Sequence, residues 1–300
     1  MLSRQGHPAP ASRLAEADKA ADWLPARRSG AGMEKQGMAV RSLLLTVMVG
    51  AGVAAASIAP ACAQSPVYQG RRGAAVGIAA AVASKDRPED DIASDKNRKP
   101  ASLLAFAGLK RGMNVADIMP GKGYFTRLFS NVVGGEGHVW AIVPTWLVAK
   151  KPTAADAVKA TAAMPVFSNV SVLVQPLDAI QVPRRLDLVW TAQNYHDVYY
   201  GAGADAALAF DKSVFAALRP GGVFIVIDHV ANPGAGADVA KLHRIDPALI
   251  RQQVEAAGFH FESESKVLAN PDDTHDLPVF DPAIRGHTDQ VVLKFRKPAR

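Results

Sequence analysis

The chain has 300 residues, 49% of them hydrophobic and 21% charged, which is ordinary for a globular protein. Seven of its 34 basic and four of its 28 acidic residues precede residue 64, so the remainder carries only 27 − 24 = +3. This mild, evenly spread charge excludes a typical nucleic-acid-binding surface, and the single cysteine, Cys62, excludes an internal disulfide framework.

The N-terminal region is typical of an export signal. Arg41 provides a positive charge, residues 42–63 contain no charged residue, and Ala61-Cys62-Ala63 is a small-x-small cleavage pattern. A membrane anchor or a lipid-modified Cys62 are the alternatives. We expect a disordered or mis-started extension over 1–37, a cleaved signal peptide over 38–63, and a periplasmic or secreted product without stable membrane insertion.

The mature chain alternates strands with helices. A lead-in segment over 64–97, with about one helical turn, precedes a domain over 98–300. Strands are predicted at 115–119, 138–143, 170–174, 186–192, 223–227, 261–268 and 290–295, and helices at 98–108, from 124, 153–164, 205–218 and 247–257, with Thr153 as a cap. The near-continuous apolar strands indicate an α/β fold with a parallel sheet covered on both faces.

The first strand ends in a glycine-rich turn that leads into an amphipathic helix. Gly121 and Gly123 allow a sharp turn and a close approach of the backbone to a ligand, and the helix start presents free N–H groups. Asp117 stands at the strand end, where its carboxylate can orient the loop or bind a cationic or hydroxylic group. Plain turn chemistry is the alternative interpretation.

Polar residues follow the other predicted strands as well. Ligands bind at the carboxyl ends of parallel strands, and the residues at such ends are Asp117, Asp178, Asn194, His196, Asp228 and His229. His196, with Asp197, is a candidate base on the acceptor side, and His229 could lie nearby. His196 could equally cap the next helix or bind backbone.

Several further residues have simpler interpretations. Asp246 is expected to cap the helix that follows it, whereas His243 and Arg244 could face a pocket. Arg285 with Asp289 indicates a structural ion pair, and the pair at 272–273 indicates solvated turn residues. The histidines at 196, 229 and 243 are possible metal ligands, but no ligand spacing supports them and no metal is predicted.

An ordered set of motifs resembles the class I S-adenosylmethionine-dependent methyltransferases over about residues 96–298. The motifs are VADIMPGKGYFT (115–126), GHVWAIVP (137–144), LDLVWTAQNYHD (186–197) and LRPGGVFIVIDH (218–229). More narrowly, LHRID (242–246) and RGHTDQVVLKFRKP (285–298) resemble a group of predicted exported methyltransferases of proteobacteria.

The resemblance implies a Rossmann-like doubly wound, mostly parallel seven-stranded sheet with an antiparallel C-terminal hairpin. It also implies methyl transfer from S-adenosylmethionine to a small-molecule acceptor. The cofactor residues would be Asp117, Gly121, Gly123, Asp178 and Asn194, and the catalytic residues His196, Asp197 and His229. The sequence indicates neither the acceptor nor an oligomeric state.

The chain departs from the family pattern at two positions. Met119 stands where a glycine is usual, and Val143 stands where a carboxylate usually binds both ribose hydroxyls. Losing a hydrogen bond to a charged group costs about 1.5–3 kcal/mol. A non-catalytic periplasmic binding protein on the same fold is therefore the main alternative, and a metal-dependent enzyme is the lesser one.

Overall fold

The computed structural model describes residues 77–299, so the predicted extension, signal peptide and cleavage site lie outside the described residues. Seven strands form one sheet in this part of the chain. They are β1 (Asn114–Ile118), β2 (His138–Pro144), β3 (Val170–Gln175), β4 (Leu186–Ala192), β5 (Leu218–His229), β6 (His260–Ser265) and β7 (Gln290–Arg296).

The strand order is β3-β2-β1-β4-β5-β7-β6. The first five strands are parallel to one another, whereas β7 runs antiparallel to both β5 and β6. The predicted mostly parallel seven-stranded sheet with an antiparallel C-terminal hairpin is confirmed. The order reverses direction between β1 and β4, which is where such sheets form a ligand-binding crevice.

Nine α-helices of the described region accompany the sheet. They are α1 (Ile78–Val82), α2 (Glu89–Arg98), α3 (Pro100–Ala107), α4 (Tyr124–Val133), α5 (Thr145–Lys150), α6 (Asp156–Ala162), α7 (Tyr195–Ala202), α8 (Ala204–Ala217) and α9 (Pro247–Ala256). Helices α5 and α7 were not predicted. The predicted cap at Thr153 is wrong, because this residue lies in a 3-10 turn and α6 begins only at Asp156 without a side-chain cap.

The apolar core has two halves, one on each face of the sheet. Alternate residues of a strand point to opposite faces, so Val115 packs with α1, α3, α4 and α6, whereas its neighbour Ala116 belongs to the half that contains α7, α8 and α9. Both faces of the central strands are therefore buried, which accounts for their continuous apolar sequence.

Residues 77–97, the described part of the lead-in segment, are an integral part of the domain, with two helices rather than the single turn expected. Ala81 of α1 is completely buried in the core. Arg127 of α4 forms an ion pair of 2.8 Å with Asp91 of α2, and both side chains are largely buried. Asp95 of α2 accepts a hydrogen bond of 2.6 Å from the Tyr124 hydroxyl. These contacts fasten α2 across the start of α4.

A helix needs about 20 consecutive, mostly apolar residues to cross a bilayer. Within residues 77–299 every helix is too short or too polar to cross a membrane.

The buried ion pair predicts a large stability effect. Replacing Arg127 with alanine leaves Asp91 without its partner, so we expect Arg127→Ala to lower the free energy of unfolding by roughly 3–5 kcal/mol. Arg111→Ala is the control, because Arg111 and Glu136 form an exposed pair that is worth at most about 1 kcal/mol. Urea unfolding of both variants tests this expectation, and equal losses would contradict it.

Candidate functional site

A cleft of about 610 Å³ opens at the carboxyl ends of β1 and β4. This volume lies within the roughly 300–1,000 Å³ of small-molecule sites. Its walls come from α2, from the loop at 118–122, from Gln193 and Asn194 after β4, from His229 at the end of β5, and from the segment at 279–290. The cleft therefore lies at the reversal of strand order.

Two non-glycine residues in the cleft wall have left-handed backbones. Met119 has a φ of 55° and Gln193 a φ of 62°, and each follows a central strand directly. Such conformations cost of order 1–3 kcal/mol each and cluster at functional sites. Hydrogen bonds hold both: Met119 N donates to Ile142 O, and Gln193 N donates to Ile227 O. Glycine adopts a left-handed backbone at little cost. The backbone of Met119 therefore explains why glycine is usual at this position in the family that the sequence resembles.

Asp117 lies in the cleft wall with only 3% of its surface exposed. Its carboxylate accepts a hydrogen bond of 2.6 Å from the Thr126 hydroxyl. Burial raises the pKa of Asp117 to about 7, although the bond from Thr126 and the positive charge of Arg98 oppose the rise. Near neutral pH this side chain is poised between its acid and its carboxylate form.

Arg98, the last residue of α2, brings a positive charge to the same cleft. Its guanidinium carbon lies 4.6 Å from the Tyr124 ring centroid and 5.8 Å from that of Phe125. The two rings fix the cation near Asp117 by cation–π attraction. From the sequence, Arg98 was expected only at the start of a helix. The run of charged residues at 85–91 was the sequence feature that could have indicated a functional role for this region.

The predicted cofactor residues divide into two groups. Asp117, Gly121 and Asn194 line the cleft, whereas Gly123 and Asp178 do not. Gly123 caps α4, and a Cβ there would meet the Arg127 guanidinium at 3.2 Å, so this glycine makes room for Arg127. Asp178 is exposed in a 3-10 turn after β3.

Val143 belongs to the apolar core, with 2% of its surface exposed. A carboxylate at this position would enter the core. Any substitute for the missing ribose contact must therefore come from a different element.

The side chains of the adjacent residues Asp228 and His229 point to opposite faces of the sheet. His229 lines the cleft, and its Nδ1 lies 2.8 Å from the Thr288 hydroxyl. Burial lowers the pKa of His229 to about 4, although the charge of Asp228 opposes this. His229 is consequently neutral at physiological pH, which suits a hydrogen-bonding group better than a strong base.

His196 lies on the other face, in a cluster beside the cleft. Its Nδ1 is 2.7 Å from Asp228 Oδ1, and its Nε2 is 3.2 Å from His243 Nδ1. Asp197 Oδ1 is 3.4 Å from the same Nε2. Burial opposes a charge on His196, but the charges of Asp228 and Asp197 and the hydrogen bond to Asp228 together raise its pKa. Neither His196 nor Asp197 lines the cleft, and their catalytic assignment stays a prediction.

Three simpler interpretations have different outcomes. Asp246 caps α9 as predicted, accepting a bond of 2.8 Å from Ala248 N. Arg244 does not face a pocket: it is fully buried and pairs at 2.9 Å with Asp273, which is itself buried rather than solvated.

The expected ion pair between Arg285 and Asp289 is wrong, because Asp289 pairs with His275 at 3.0 Å and Arg285 lines the cleft.

The strand order and the single antiparallel strand β7 decide the fold. The chain has the class I methyltransferase fold. The solved structure of the [4+2]-cyclase SpnF is similar, with a TM-score of 0.51 and 15% identity over 68% of this chain and 81% of that chain. An S-adenosylmethionine-dependent methyltransferase from Aquifex aeolicus has a TM-score of 0.48 and 17% identity over 68% of this chain and 97% of that chain.

No family model matches the sequence, and no curated protein matches it. The likeness to SpnF, at 15% identity, supports the fold alone and leaves the activity to be argued from the site. Within that fold, the cleft brings the carboxyl group of Asp117 and the guanidinium of Arg98 into one site.

The raised pKa of Asp117 predicts a pH-dependent stability. An unfolded aspartate has a pKa of about 3.9, whereas the pKa of folded Asp117 is about 7. Between pH 4 and 7 the unfolded chain ionises this residue and the folded chain does not, so wild-type stability falls as pH rises. Asp117→Asn should therefore gain stability relative to wild type across this range, by roughly 4 kcal/mol above pH 7.

Denaturant unfolding at several pH values measures this difference. Asp238→Asn is the control, because the Asp238 side chain is fully exposed, and its difference from wild type should be small throughout. A difference between Asp117→Asn and wild type that does not change with pH would contradict the assigned pKa.

Proposed function

We propose that this protein is an S-adenosylmethionine-dependent methyltransferase that acts on a small molecule. The observation that carries the proposal is the cleft at the reversal of strand order, with the turn at Gly121 in its wall. In doubly wound sheets this crevice is the general ligand site.

The backbone at Gly121 supports the fit of the cofactor. Its φ is 56°, and a Cβ built there would find no atom within 4 Å. The space that a side chain would fill is thus left for a ligand, which then comes close to the main chain.

The charges of the cleft suit the amino-acid end of the cofactor. We assign the cofactor's carboxylate to Arg98, whose guanidinium is held against Tyr124, because arginine binds carboxylates bidentately. We assign its α-amino group to Asp117, whose ionised form a neighbouring cation favours. Ser94 and Asn97 of α2 also line the cleft and provide hydrogen-bonding groups for the ribose in place of the missing β2 carboxylate.

S-adenosylmethionine supplies a methyl group on a sulfonium centre that is already a good leaving group. The chain's contribution is therefore mainly to align the acceptor and to exclude water. Neutral His229, fixed by Thr288, orients the acceptor as a hydrogen-bonding partner. Phe280, which is 52% exposed and lines the cleft, provides apolar contact area.

The glycine turn gives the first test of the proposal. Calorimetric titration of the full-length protein with S-adenosylmethionine and S-adenosylhomocysteine should give micromolar binding. Gly121→Arg should abolish it, because the new side chain enters the cleft. Gly112→Arg is the matched control: Gly112 has a φ of 78° and open space around a Cβ, but it precedes β1 at the opposite end of the strand.

Both arginine variants carry similar backbone strain, so a difference between their cofactor affinities shows that the cofactor binds in the cleft. Absence of wild-type binding at millimolar cofactor would contradict the proposal. Binding without methyl transfer to any acceptor would favour the non-catalytic binding protein.

Arg98 allows a test within the cleft. Arg98→Met should weaken S-adenosylhomocysteine binding by roughly 10- to 100-fold, the value of one charge-assisted hydrogen-bonded contact. The affinity for methylthioadenosine, which lacks the amino-acid end, should change little. Equal losses for the two ligands, measured by calorimetry, would show that Arg98 does not bind the carboxylate.

A further inference from the structure

Three potential metal ligands converge beside the cleft. The separations are 3.2 Å between His196 Nε2 and His243 Nδ1, 3.4 Å between His196 Nε2 and Asp197 Oδ1, and 3.7 Å between His243 Nδ1 and Asp197 Oδ1. A tetrahedral ion with bonds of about 2.1 Å requires ligand atoms about 3.4 Å apart. The three observed separations lie at or close to this value, so one ion could bind all three atoms.

We propose that His196, Asp197 and His243 bind a divalent transition-metal ion, zinc foremost, and leave one coordination position for a non-protein ligand. The site is separate from the proposed cofactor cleft, and its test does not depend on S-adenosylmethionine binding. Three protein ligands with an open fourth position are typical of catalytic rather than structural zinc sites.

A carboxylate behind His196 supports the proposal. Asp228 is completely buried, and its Oδ1 lies 2.7 Å from His196 Nδ1 while its Oδ2 accepts a bond of 2.8 Å from His196 N. In the neutral imidazole, which is the form that binds a metal, a ring nitrogen that donates to a carboxylate leaves the other nitrogen unprotonated and aimed at the cluster. Histidine metal ligands almost always donate their other ring N–H to a carboxylate, a backbone carbonyl or water, and Asp228 is such a partner for His196.

The other two ligands are held by the backbone. His243 has a left-handed φ of 53° at the end of a 3-10 turn, a strained conformation of the kind found at functional sites. Its ring packs edge-on against Phe280, with centroids 4.9 Å apart. Asp197 lies in the first turn of α7, one residue after His196.

Hydrogen bonding inside the cluster leaves Asp197 without a short contact. The two imidazoles can share one proton across 3.2 Å, but Asp197 is 3.4 and 3.7 Å from them, beyond the usual hydrogen-bond distance. Among residues 77–299 its carboxylate accepts no hydrogen bond from another side chain. A bound cation would satisfy this oxygen and both imidazole nitrogens together.

The chemical types of the three ligand groups indicate which metal ion the site would bind. Two imidazoles and one carboxylate suit zinc and its transition-metal neighbours, whereas magnesium prefers an all-oxygen shell. The cluster adjoins the cleft, because Phe280 contacts His243 and also lines the cleft. A ligand on the metal would therefore lie close to a molecule in the cleft.

Metal titration of the full-length protein, purified without a histidine tag and dialysed against chelator, tests the site. Calorimetry with zinc chloride should show one high-affinity site and with magnesium chloride none. His243→Asn and Asp197→Asn should each weaken zinc binding by more than the roughly 10- to 100-fold that loss of an outer-shell partner costs. Asparagine is chosen at 243 because it tolerates the left-handed backbone.

The matched control is His275→Asn. His275 also has a left-handed φ, 66°, and lies 3.0 Å from a carboxylate, that of Asp289, but it is outside the cluster. This variant should bind zinc as wild type does. No zinc binding by wild type up to roughly 100 µM, or unchanged binding in His243→Asn, would overturn the proposal and leave the cluster a hydrogen-bonded network.

Discussion

The geometry of the cleft depends on the buried guanidinium of Arg127. It pairs with Asp91 of α2, donates to the carbonyl of Lys122 in the glycine turn, and donates to the Thr161 hydroxyl of α6. One side chain thus fixes two walls of the cleft relative to each other. Gly123 is part of the same arrangement, since a Cβ there would displace the guanidinium. The turn that looks like a ligand loop also serves to accommodate an arginine.

The last two residues of β5, Asp228 and His229, take part in different sites on the two faces of the sheet. Because consecutive strand residues point to opposite sides, His229 reaches the cleft while Asp228 orients His196 in the neighbouring cluster. A single strand end therefore supports both a proposed cofactor cleft and a proposed metal site. Phe280 is the side chain that contacts the second and lines the first.

The sequence predicted the fold well because near-continuous apolar strands that alternate with helices indicate a parallel sheet, and β4 was placed at its observed bounds. It predicted the site only in part. Asp117, Gly121 and Asn194 follow strands, so sheet topology alone brings them together. Arg98, Arg244 and the triangle of His196, Asp197 and His243 depend on tertiary packing between segments far apart in the chain, which local patterns do not record. The lead-in segment was expected to hold only about one helical turn, yet Asp91 of α2 is buried against Arg127.

The crevice between β1 and β4 is the proposed binding site for S-adenosylmethionine and its demethylated product. Amide hydrogen exchange of the full-length protein, with and without saturating S-adenosylhomocysteine, tests it most directly. We expect slower exchange in peptides that cover 90–98, 118–125 and 192–194, and unchanged exchange in the turn at 110–112 at the opposite end of the sheet. Unchanged exchange in all of the cleft peptides at saturation would contradict it.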